Sequence, residues 1–331
     1  MNKRKVRWGI AGLGNIAKRF ADDLVRYAPS GELCSVASSS IDKAKQFAEK
    51  FNCKKYYDSY MGLASDSEID VVYISTINPF HKQLARLFLE HGKHVLVEKP
   101  AFINKNDWDE IFRIAEYKGL LLVEAMKTVT FPAYRKLVSF LKENQIKLDL
   151  VQASFGTTNE FDANHWLFNK DQSGGASLDV GIYPLWLYSN IVYIMGGKLS
   201  EPSVKISTEK YNIGVDESVE FLFDSAIKGE LSASITSDLP RHARLSGIDI
   251  DILITDKWWN PKKIKITWKG KRFDIDEPIV GGGFQFEAEH MSDLILNKKK
   301  YSDLIISDIS RNVIELIENA LKKNSLKHLV S

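Results

Sequence analysis

The sequence predicts two domains: an α/β domain with a doubly wound parallel sheet, followed by an α+β domain with an open antiparallel sheet. The first 120 or so residues alternate short apolar runs with helical patterns, which is typical of βα units and a parallel sheet. Between about residues 203 and 275, strand-like runs follow one another without intervening helices, which favours antiparallel pairing. The 331 residues also exceed the roughly 150 that one domain commonly contains. We therefore predict one domain over 1–125 and a second over 126–331.

The chain begins with a strand, a glycine-rich turn and a helix. An apolar run over 6–11 leads into Gly-Leu-Gly-Asn-Ile-Ala, and an amphipathic helical pattern follows it. A G-x-G-x-x-[GA] turn in that setting is the fingerprint of a dinucleotide-binding Rossmann domain, because the glycines allow a tight turn and a close approach of pyrophosphate. The helix N-terminus adds free N–H groups and a positive dipole end. A glycine-rich turn without a ligand is the alternative. The predicted cofactor-binding residues of this turn are Gly12, Gly14, Asn15, Ile16 and Ala17.

Further βα units and a last strand complete the first domain. Ligands of parallel sheets bind at the carboxyl ends of the strands, so we expect functional residues in the turns that follow them. The predicted strands cover 33–37, 70–75, 94–97 and 120–123, and the predicted helices cover 42–51, 79–91 and 106–118.

The turn after the second strand bears on the choice of cofactor. In NAD-binding domains this strand usually ends in Asp or Glu, which accepts a hydrogen bond from the ribose 2′-OH. Here three serines follow the strand; the hydroxyls of Ser38 and Ser39 can donate to a 2′-phosphate, and Lys43 can supply positive charge. This pattern favours NADP(H) over NAD(H), which stays an alternative. The serines could also simply cap the next helix.

The second domain begins with a helix and a strand and ends with two helices. A Gly-Gly pair at 174–175 precedes a largely apolar stretch that ends at Gly196. The predicted helices of this domain cover 133–143, 284–296 and 304–323, and the predicted strands cover 148–155, 204–208, 218–223, 228–235, 243–254, 263–268 and 271–275.

Several motifs, in their order along the chain, resemble the glucose–fructose oxidoreductase and inositol dehydrogenase family, Gfo/Idh/MocA. The second domain contributes Gly-Gly-Ala-Ser-Leu-Asp-Val-Gly-Ile-Tyr-Pro over 174–184 and Gly283-Phe284-x-x-Glu287, so the resemblance spans nearly the whole chain. It implies a Rossmann domain, an open sheet often used for oligomer contacts, and a cis peptide bond before Pro100. The first-domain motifs, besides the glycine turn, imply a cofactor-side position for Thr76, Asn78, Pro79, His81, Glu98 and Lys99.

The resemblance implies catalytic roles for Tyr183, Lys99 and Asp179. The family has its acid/base, often a histidine, at the position of Tyr183, and tyrosine marks a branch that contains aldose and dihydrodiol dehydrogenases. A phenol has a reference pKa of ~10, and a nearby ammonium such as that of Lys99 would favour the phenolate. Tyr183 would then take the proton of a substrate hydroxyl while hydride leaves for nicotinamide C4, and Asp179 would orient Lys99 or the substrate. A packed core tyrosine is the alternative.

Two positions depart from the tyrosine branch, which usually reads Glu-Ala-Met-Trp-x-Arg-Phe after the sixth strand. Lys127 and Val129 stand where the tryptophan and the arginine are expected, so a stacking surface and a hydrogen-bonding fork are lost. This puts xylose and dihydrodiol substrates in doubt, and Lys127 suggests an anionic sugar. His165 and Trp166 are further candidates for the substrate pocket, although such a pair more often serves simple packing.

Composition limits the classes of partner and compartment. With 45 Lys and Arg against 43 Asp and Glu, the net charge is +2 and the two signs are mixed, which does not favour nucleic acid or a membrane surface. No apolar run approaches the ~20 residues of a membrane span, and the basic segment 2–5 precedes a strand rather than a signal sequence. The two cysteines form no disulfide framework, and no Cys/His spacing suggests a metal. We therefore expect a cytoplasmic protein.

The sequence thus predicts an NAD(P)-dependent oxidoreductase that prefers NADP and acts on a sugar-like polyol or carbonyl. We expect a homodimer or homotetramer, from the sheet that the resemblance implies. One alternative is a sugar-nucleotide oxidoreductase of polysaccharide biosynthesis. Another is a regulatory protein that senses NAD(P) without turnover.

Overall fold

The computed structural model describes residues 4–331 and divides into two compact units. Unit 1 comprises the described part of Met1–Phe102, together with Asn106–Thr130 and Ile279–Ser307. Unit 2 comprises Ile103–Lys105, Phe131–Pro278 and Asp308–Ser331. Asn2 and Lys3 of the basic N-terminal segment lie outside the described residues.

A parallel sheet forms the centre of unit 1. Its order is that of a Rossmann fold, with the third, second, first, fourth, fifth and sixth strands side by side within the described residues. The apolar runs of this sheet are buried almost continuously because helices cover both faces, as the alternating pattern predicted. The strands are β1 (Val6–Ala11), β2 (Gly31–Ala37), β3 (Lys55–Tyr57), β4 (Val71–Ile74), β5 (His94–Glu98) and β6 (Leu122–Ala125).

The helices of the chain agree with most of the predicted ones. The short strand β3 and the short helix over Tyr60–Ala64 were not predicted, because three and five residues are too few for a visible period. The helices are α1 (Asn15–Tyr27), α2 (Ile41–Lys50), α3 (Tyr60–Ala64), α4 (His81–Glu90), α5 (Lys105–Lys118), α6 (Pro132–Glu143), α7 (Ile182–Ile194), α8 (Phe284–Leu296) and α9 (Ser307–Lys323).

Helix α8 belongs to the same compact unit as the Rossmann sheet, although it comes late in the sequence. It packs against α1, where the Asp23 carboxylate accepts hydrogen bonds from the backbone N–H groups of Gly282 and Phe284, each at 2.9 Å. The Trp8 indole N–H on β1 donates to Ser292 Oγ at 3.1 Å. These contacts extend unit 1 beyond the residues 1–125 of the predicted first domain.

Unit 2 is built on a mostly antiparallel sheet, as the sequence predicted. Among the described pairs, the first and fourth strands of this sheet along the chain run parallel, whereas the other neighbours run antiparallel. The strands are β7 (Leu150–Gly156), β8 (Ser203–Ser207), β9 (Ser218–Phe223), β10 (Lys228–Ser234), β11 (Ala243–Gly247), β12 (Ile250–Ile254), β13 (Lys263–Trp268) and β14 (Lys271–Asp276). Within the described residues their order across the sheet is β14-β13-β12-β11-β7-β10-β9-β8.

The prediction of a single strand over 243–254 is wrong, because these residues form a hairpin of the two strands β11 and β12. Gly247 pairs with Ile250, which leaves Ile248 and Asp249 as the turn. Gly and Asp are residues that tight hairpin turns favour, but the alternation of apolar and polar residues on either side concealed the turn.

Helix α7 lies against β7 and β10 and is apolar around its whole circumference. The Trp186 indole N–H donates to Ser310 Oγ of α9 at 3.2 Å, which joins α7 to α9 within unit 2. None of the helices within residues 4–331 combines the length and the apolar character that a membrane span requires.

Candidate active site

The glycine turn at the carboxyl end of β1 has the geometry that a dinucleotide needs. Gly12 has φ +87°, and a Cβ there would lie 2.7 Å from Thr76 Cγ2. Gly14 is exposed and a Cβ there would meet nothing within 4 Å, so the space in front of it is open. Gly14 is also the N-cap of α1 and provides no side-chain cap, which leaves the first N–H groups of the helix for a phosphate. Ala17 is fully buried against the sheet.

The serines after β2 divide into two kinds. Ser40 caps α2, with its Oγ accepting from Lys43 N at 3.4 Å, and Ser38 Oγ accepts from Ser40 N at 3.3 Å. The side chains of Ser39 and Lys43 are exposed. The capping alternative therefore holds for Ser40, and Ser39 and Lys43 remain accessible to a ligand.

His81, the first residue of α4, connects the turns that follow β4 and β5. Its Nδ1 lies 3.0 Å from the Pro100 carbonyl oxygen and its Nε2 lies 3.0 Å from the Thr76 carbonyl oxygen. Burial lowers the pKa of His81. Thr76 Oγ1 is buried and makes no hydrogen bond within residues 4–331, so this edge of the sheet holds a polar atom without a partner. Asn78 is half-buried and Pro79 is exposed beside it.

Glu98 and Lys99 end β5. Burial raises the pKa of Glu98, opposed by a hydrogen bond from the Tyr73 hydroxyl and by nearby positive charge. The Lys99 backbone N–H donates to Glu98 Oε2 at 3.1 Å, and the Lys99–Pro100 peptide bond is cis, as the resemblance implied. Lys99 itself is half-buried.

Lys127 lies in the interior of unit 1. It is 7% exposed, and its Nζ lies 4.2 Å from the centre of the Phe284 ring. Burial lowers the pKa of Lys127 to about 8, and the carboxylates of Glu287 and Glu98 oppose that shift. The predicted role in binding an anionic sugar stays a hypothesis, but the side chain offers little surface to a substrate. Glu287, known from the sequence only as part of the Gly283-Phe284-x-x-Glu287 motif, is also buried, and burial strongly raises its pKa.

Asp179 and Tyr183 lie in one helical segment of unit 2. The segment starts as a π-helix over Ser177–Gly181 and continues as α7, and both side chains are half-buried. Single π-helical turns inside α-helices are frequent at functional sites. Pro184 is the third residue of α7 and follows directly after the π-helical turn.

Aromatic rings that the sequence did not single out pack beside Tyr183. The Phe155 ring, near the end of β7, lies 5.3 Å from that of Tyr183. On its other side Phe155 stacks on Trp259 at 3.8 Å and an interplanar angle of 13°. Phe155 and Trp259 are distant in sequence, so only the folded sheet brings them together.

His165 and Trp166 have local structural contacts. His165 is exposed, and its Nδ1 accepts from the Leu167 N–H at 3.3 Å, which caps a short 3₁₀ turn. Trp166 is half-buried, with its ring 5.7 Å from the His165 imidazole. These contacts give the pair a packing role, and their place in a substrate pocket stays a prediction.

The residues predicted for the cofactor lie together at the carboxyl edge of the unit 1 sheet, and Asp179 and Tyr183 share one helix of unit 2. At that edge the open space at Gly14, the uncapped start of α1 and the unpartnered Thr76 Oγ1 all fit a bound dinucleotide.

Comparison with known proteins agrees with this geometry. Residues 6–126 match the GFO_IDH_MocA family model, described as "Oxidoreductase family, NAD-binding Rossmann fold". The trans-1,2-dihydrobenzene-1,2-diol dehydrogenase of Sus scrofa is 34% identical over 333 residues, which cover 96% of this chain and 96% of that protein.

Solved structures share the fold over nearly the full length. A 3-ketoreductase from Actinomadura kijaniata, solved in complex with NADP and TDP-benzene, superposes with a TM-score of 0.83 at 22% identity and covers 96% of this chain and 98% of its own. A levoglucosan dehydrogenase, in complex with NADH and levoglucosan, gives a TM-score of 0.82 at 18% identity, with 98% of both chains covered.

Proposed function

This chain belongs to the Gfo/Idh/MocA family of oxidoreductases with an NAD-binding Rossmann fold, and we propose that it is an NADP-preferring dehydrogenase or reductase of a sugar-like polyol or carbonyl. One observation carries the proposal. The chain retains Lys99, Asp179 and Tyr183 at the motif positions of a family to which it is similar over 96% of its length. A protein that only senses nucleotides has no need for an acid/base.

The preference for NADP rests on the turn after β2. No acidic residue ends this strand; instead the exposed Ser39 hydroxyl and the exposed Lys43 ammonium can contact a 2′-phosphate. The pyrophosphate would bind at Gly12 and Gly14 and at the first N–H groups of α1, including those of Asn15 and Ile16. When bound, the nicotinamide supplies or accepts the hydride.

We assign the transfer of the substrate proton to Tyr183, with Lys99 and Asp179 in supporting roles. Tyr183 takes the proton from the substrate hydroxyl in oxidation and returns it to the forming alkoxide in reduction. The Lys99 ammonium favours the phenolate, and Asp179 orients the substrate or Lys99. Glu98 and His81 hold the Lys99-Pro100 turn in place through the contacts described above, so their role is to position rather than to react.

The relatives and the aromatic rings support the proposed substrate class. The pig relative is named for a cyclic diol, and the levoglucosan dehydrogenase was solved with an anhydrosugar. The half-buried Phe155 and Trp259 beside Tyr183 suit the C–H face of such a ring. A second candidate is a sugar-nucleotide reductase, which is favoured by the TDP-bearing ligand of the Actinomadura structure.

Assembly and compartment remain proposals. We expect a homodimer or homotetramer through the sheet of unit 2, because Leu222 exposes 48% of its surface on it. We expect the cytoplasm, because Cys34 and Cys53 are both free thiols.

A fluorescence titration with NADPH, with NADH in parallel, tests the proposal, followed by a panel of aldoses, cyclic diols, uronic acids and sugar nucleotides. We expect tighter binding of NADPH and turnover of one class of neutral ring polyol. Turnover of sugar nucleotides alone would establish the second candidate. Tight binding without any turnover would favour the sensor, and equal dissociation constants would contradict the NADP preference.

A further inference from the structure

Asp216 lies at the N-terminus of the helical segment that carries Asp179 and Tyr183. Asp216 is fully buried, just before β9. Its carboxylate Oδ2 accepts from the Ser177 backbone N–H at 2.6 Å, and its backbone carbonyl accepts from the Ala176 N–H at 2.8 Å. The first N–H groups of a helix have no partner within the helix. One residue from a distant part of the chain therefore satisfies two of them.

The Gly-Gly pair makes this contact possible. Gly175 has φ +112°, and a Cβ at this position would collide with Asp216 Oδ1. A Cβ at Gly174 would collide with the backbone oxygen of Leu167, to which the Gly175 N–H donates at 2.9 Å. The Gly-Gly pair is therefore explained by two close approaches: the Leu167 backbone lies against Gly174, and the Asp216 carboxylate lies against Gly175.

The helical segment that Asp216 contacts carries Asp179 and Tyr183, so its register matters most for the proposed chemistry. Ser177–Gly181 is π-helical, and Ile182 begins α7, so a different hydrogen-bond pattern at the start would rotate every side chain that follows. Burial raises the pKa of Asp216 to about 6, and its hydrogen bonds from Ser177 oppose this shift. A negative charge at a helix N-terminus is favourable.

We propose that Asp216 is a positioning residue that fixes the register of the helical segment bearing Asp179 and Tyr183, and that Gly175 is there to admit its carboxylate. The inference rests on the proposed acid/base role of Tyr183. A small misplacement of a reacting group costs rate rather than affinity for a distant ligand, so kcat is the quantity that responds.

The test compares Asp216→Ala with Asp216→Asn in the full chain. Ala removes the acceptor, and we expect kcat to fall by about tenfold to a hundredfold with an unchanged dissociation constant for NADPH. Asn keeps an acceptor of the same length and caps helices about as well as Asp, so it should restore kcat to within roughly threefold of the original value.

Glu217 provides the matched control. It is the next residue and is 1% exposed, and its carboxylate accepts from the N–H groups of Lys210 and Tyr211 at 2.8 and 2.6 Å rather than from the helix. Glu217→Ala should lower the unfolding temperature while kcat stays within about twofold, because this carboxylate holds a different loop. Equal losses of kcat in D216A and E217A, or an unchanged kcat in D216A, would overturn the inference.

Two further variants keep the result interpretable. If D216A does not fold, Asp216→Ser retains a shorter acceptor and should show an intermediate kcat; a wild-type value would contradict the inference. Tyr183→Phe, measured in parallel, separates the two proposals: normal turnover of Y183F refutes the proposed function, whereas an inactive Y183F beside a fully active D216A refutes only the positioning role.

Discussion

The Lys127 ammonium lies 4.2 Å from the centre of the Phe284 ring, inside unit 1. Glu98 and Glu287, both buried, interact with this ammonium, and burial raises the pKa of each carboxyl group while it lowers that of the lysine. Three ionisable groups thus share one enclosed region, where each affects the charge of the others. The lysine that the sequence suggested for a substrate serves as the internal cation of this cluster.

We expect Lys127→Met to lower the free energy of unfolding by about 3 kcal/mol at pH 7, because it leaves the carboxyl group of Glu287 buried without its cation. The double variant Lys127→Met/Glu287→Met should recover most of that loss, since an apolar pair of similar volume needs no hydration. Urea unfolding at fixed ionic strength measures both. A single variant as stable as the original chain, or a double variant no better than the single one, would contradict this account.

We expect the Asp23 carboxylate to stabilise the packing of the start of α8 against α1. Asp23→Ala removes the acceptor of the N–H groups of Gly282 and Phe284, and we expect a loss of about 2 kcal/mol and faster hydrogen exchange in α8. The control is Asp22→Ala, one residue earlier, whose ion pair with Arg26 is exposed and should contribute less than about 0.5 kcal/mol. Equal effects of the two variants would contradict the anchor.

Local patterns predicted the Rossmann half well because each of its elements is specified by nearby residues. The strand, glycine turn and helix over 6–27 all follow from short-range periodicity and from the backbone freedom of Gly12. The same information could not place α8, whose partners Asp23 and Trp8 are more than 250 residues away in sequence.

The second half was predicted less completely for a similar reason. The parallel pairing of β7 with β10 and the contact between Asp216 and Ser177 exist only once distant segments meet. The Gly-Gly pair was visible in the sequence, but the carboxylate that requires Gly175 was not. Motifs thus located the functional segments, whereas the residues that position them needed the structure.

Ser39→Asp should exchange the cofactor preference. A carboxylate at the exposed end of β2 would repel a 2′-phosphate and accept from a ribose 2′-OH, so the dissociation constant for NADPH should rise by at least about tenfold and that for NADH should fall. Ser40→Ala is the control, because Ser40 caps α2: it should cost about 1 kcal/mol of stability and leave the ratio of the two constants unchanged. Fluorescence titration decides, and an unaltered ratio in S39D would exclude this turn from the 2′-phosphate site.

Tyr183→Phe should lower kcat by roughly 10²-fold or more and leave NADPH binding intact, because only the proton-transferring hydroxyl is removed. Tyr188 on the same helix offers a matched control. Its buried hydroxyl donates to the Ile227 carbonyl at 2.8 Å, so Tyr188→Phe should lower stability while kcat stays within about twofold. Steady-state kinetics on the substrate found in the panel measures both, and similar values of kcat for the two variants would remove the special role of Tyr183.

His81 should make stability depend on pH in a defined direction. Burial lowers its pKa in the folded chain below the unfolded value of about 6.5, so the folded state favours the neutral ring. Its contribution is therefore present above about pH 6.5 and is lost as the pH falls toward the folded pKa, because the unfolded chain then binds the proton more readily. We expect His81→Gln to reduce the free energy of unfolding more at pH 7.5 than at pH 5.5.

His94 has a pKa shifted in the same direction but is present in both proteins, so its effect cancels from the difference. The exposed His91 provides a control variant, His91→Gln, measured in the same way. Urea unfolding at the two pH values measures the gap. A gap that widens in acid would mean that the imidazolium donates to the carbonyl groups of both Thr76 and Pro100, the opposite of the neutral ring inferred here.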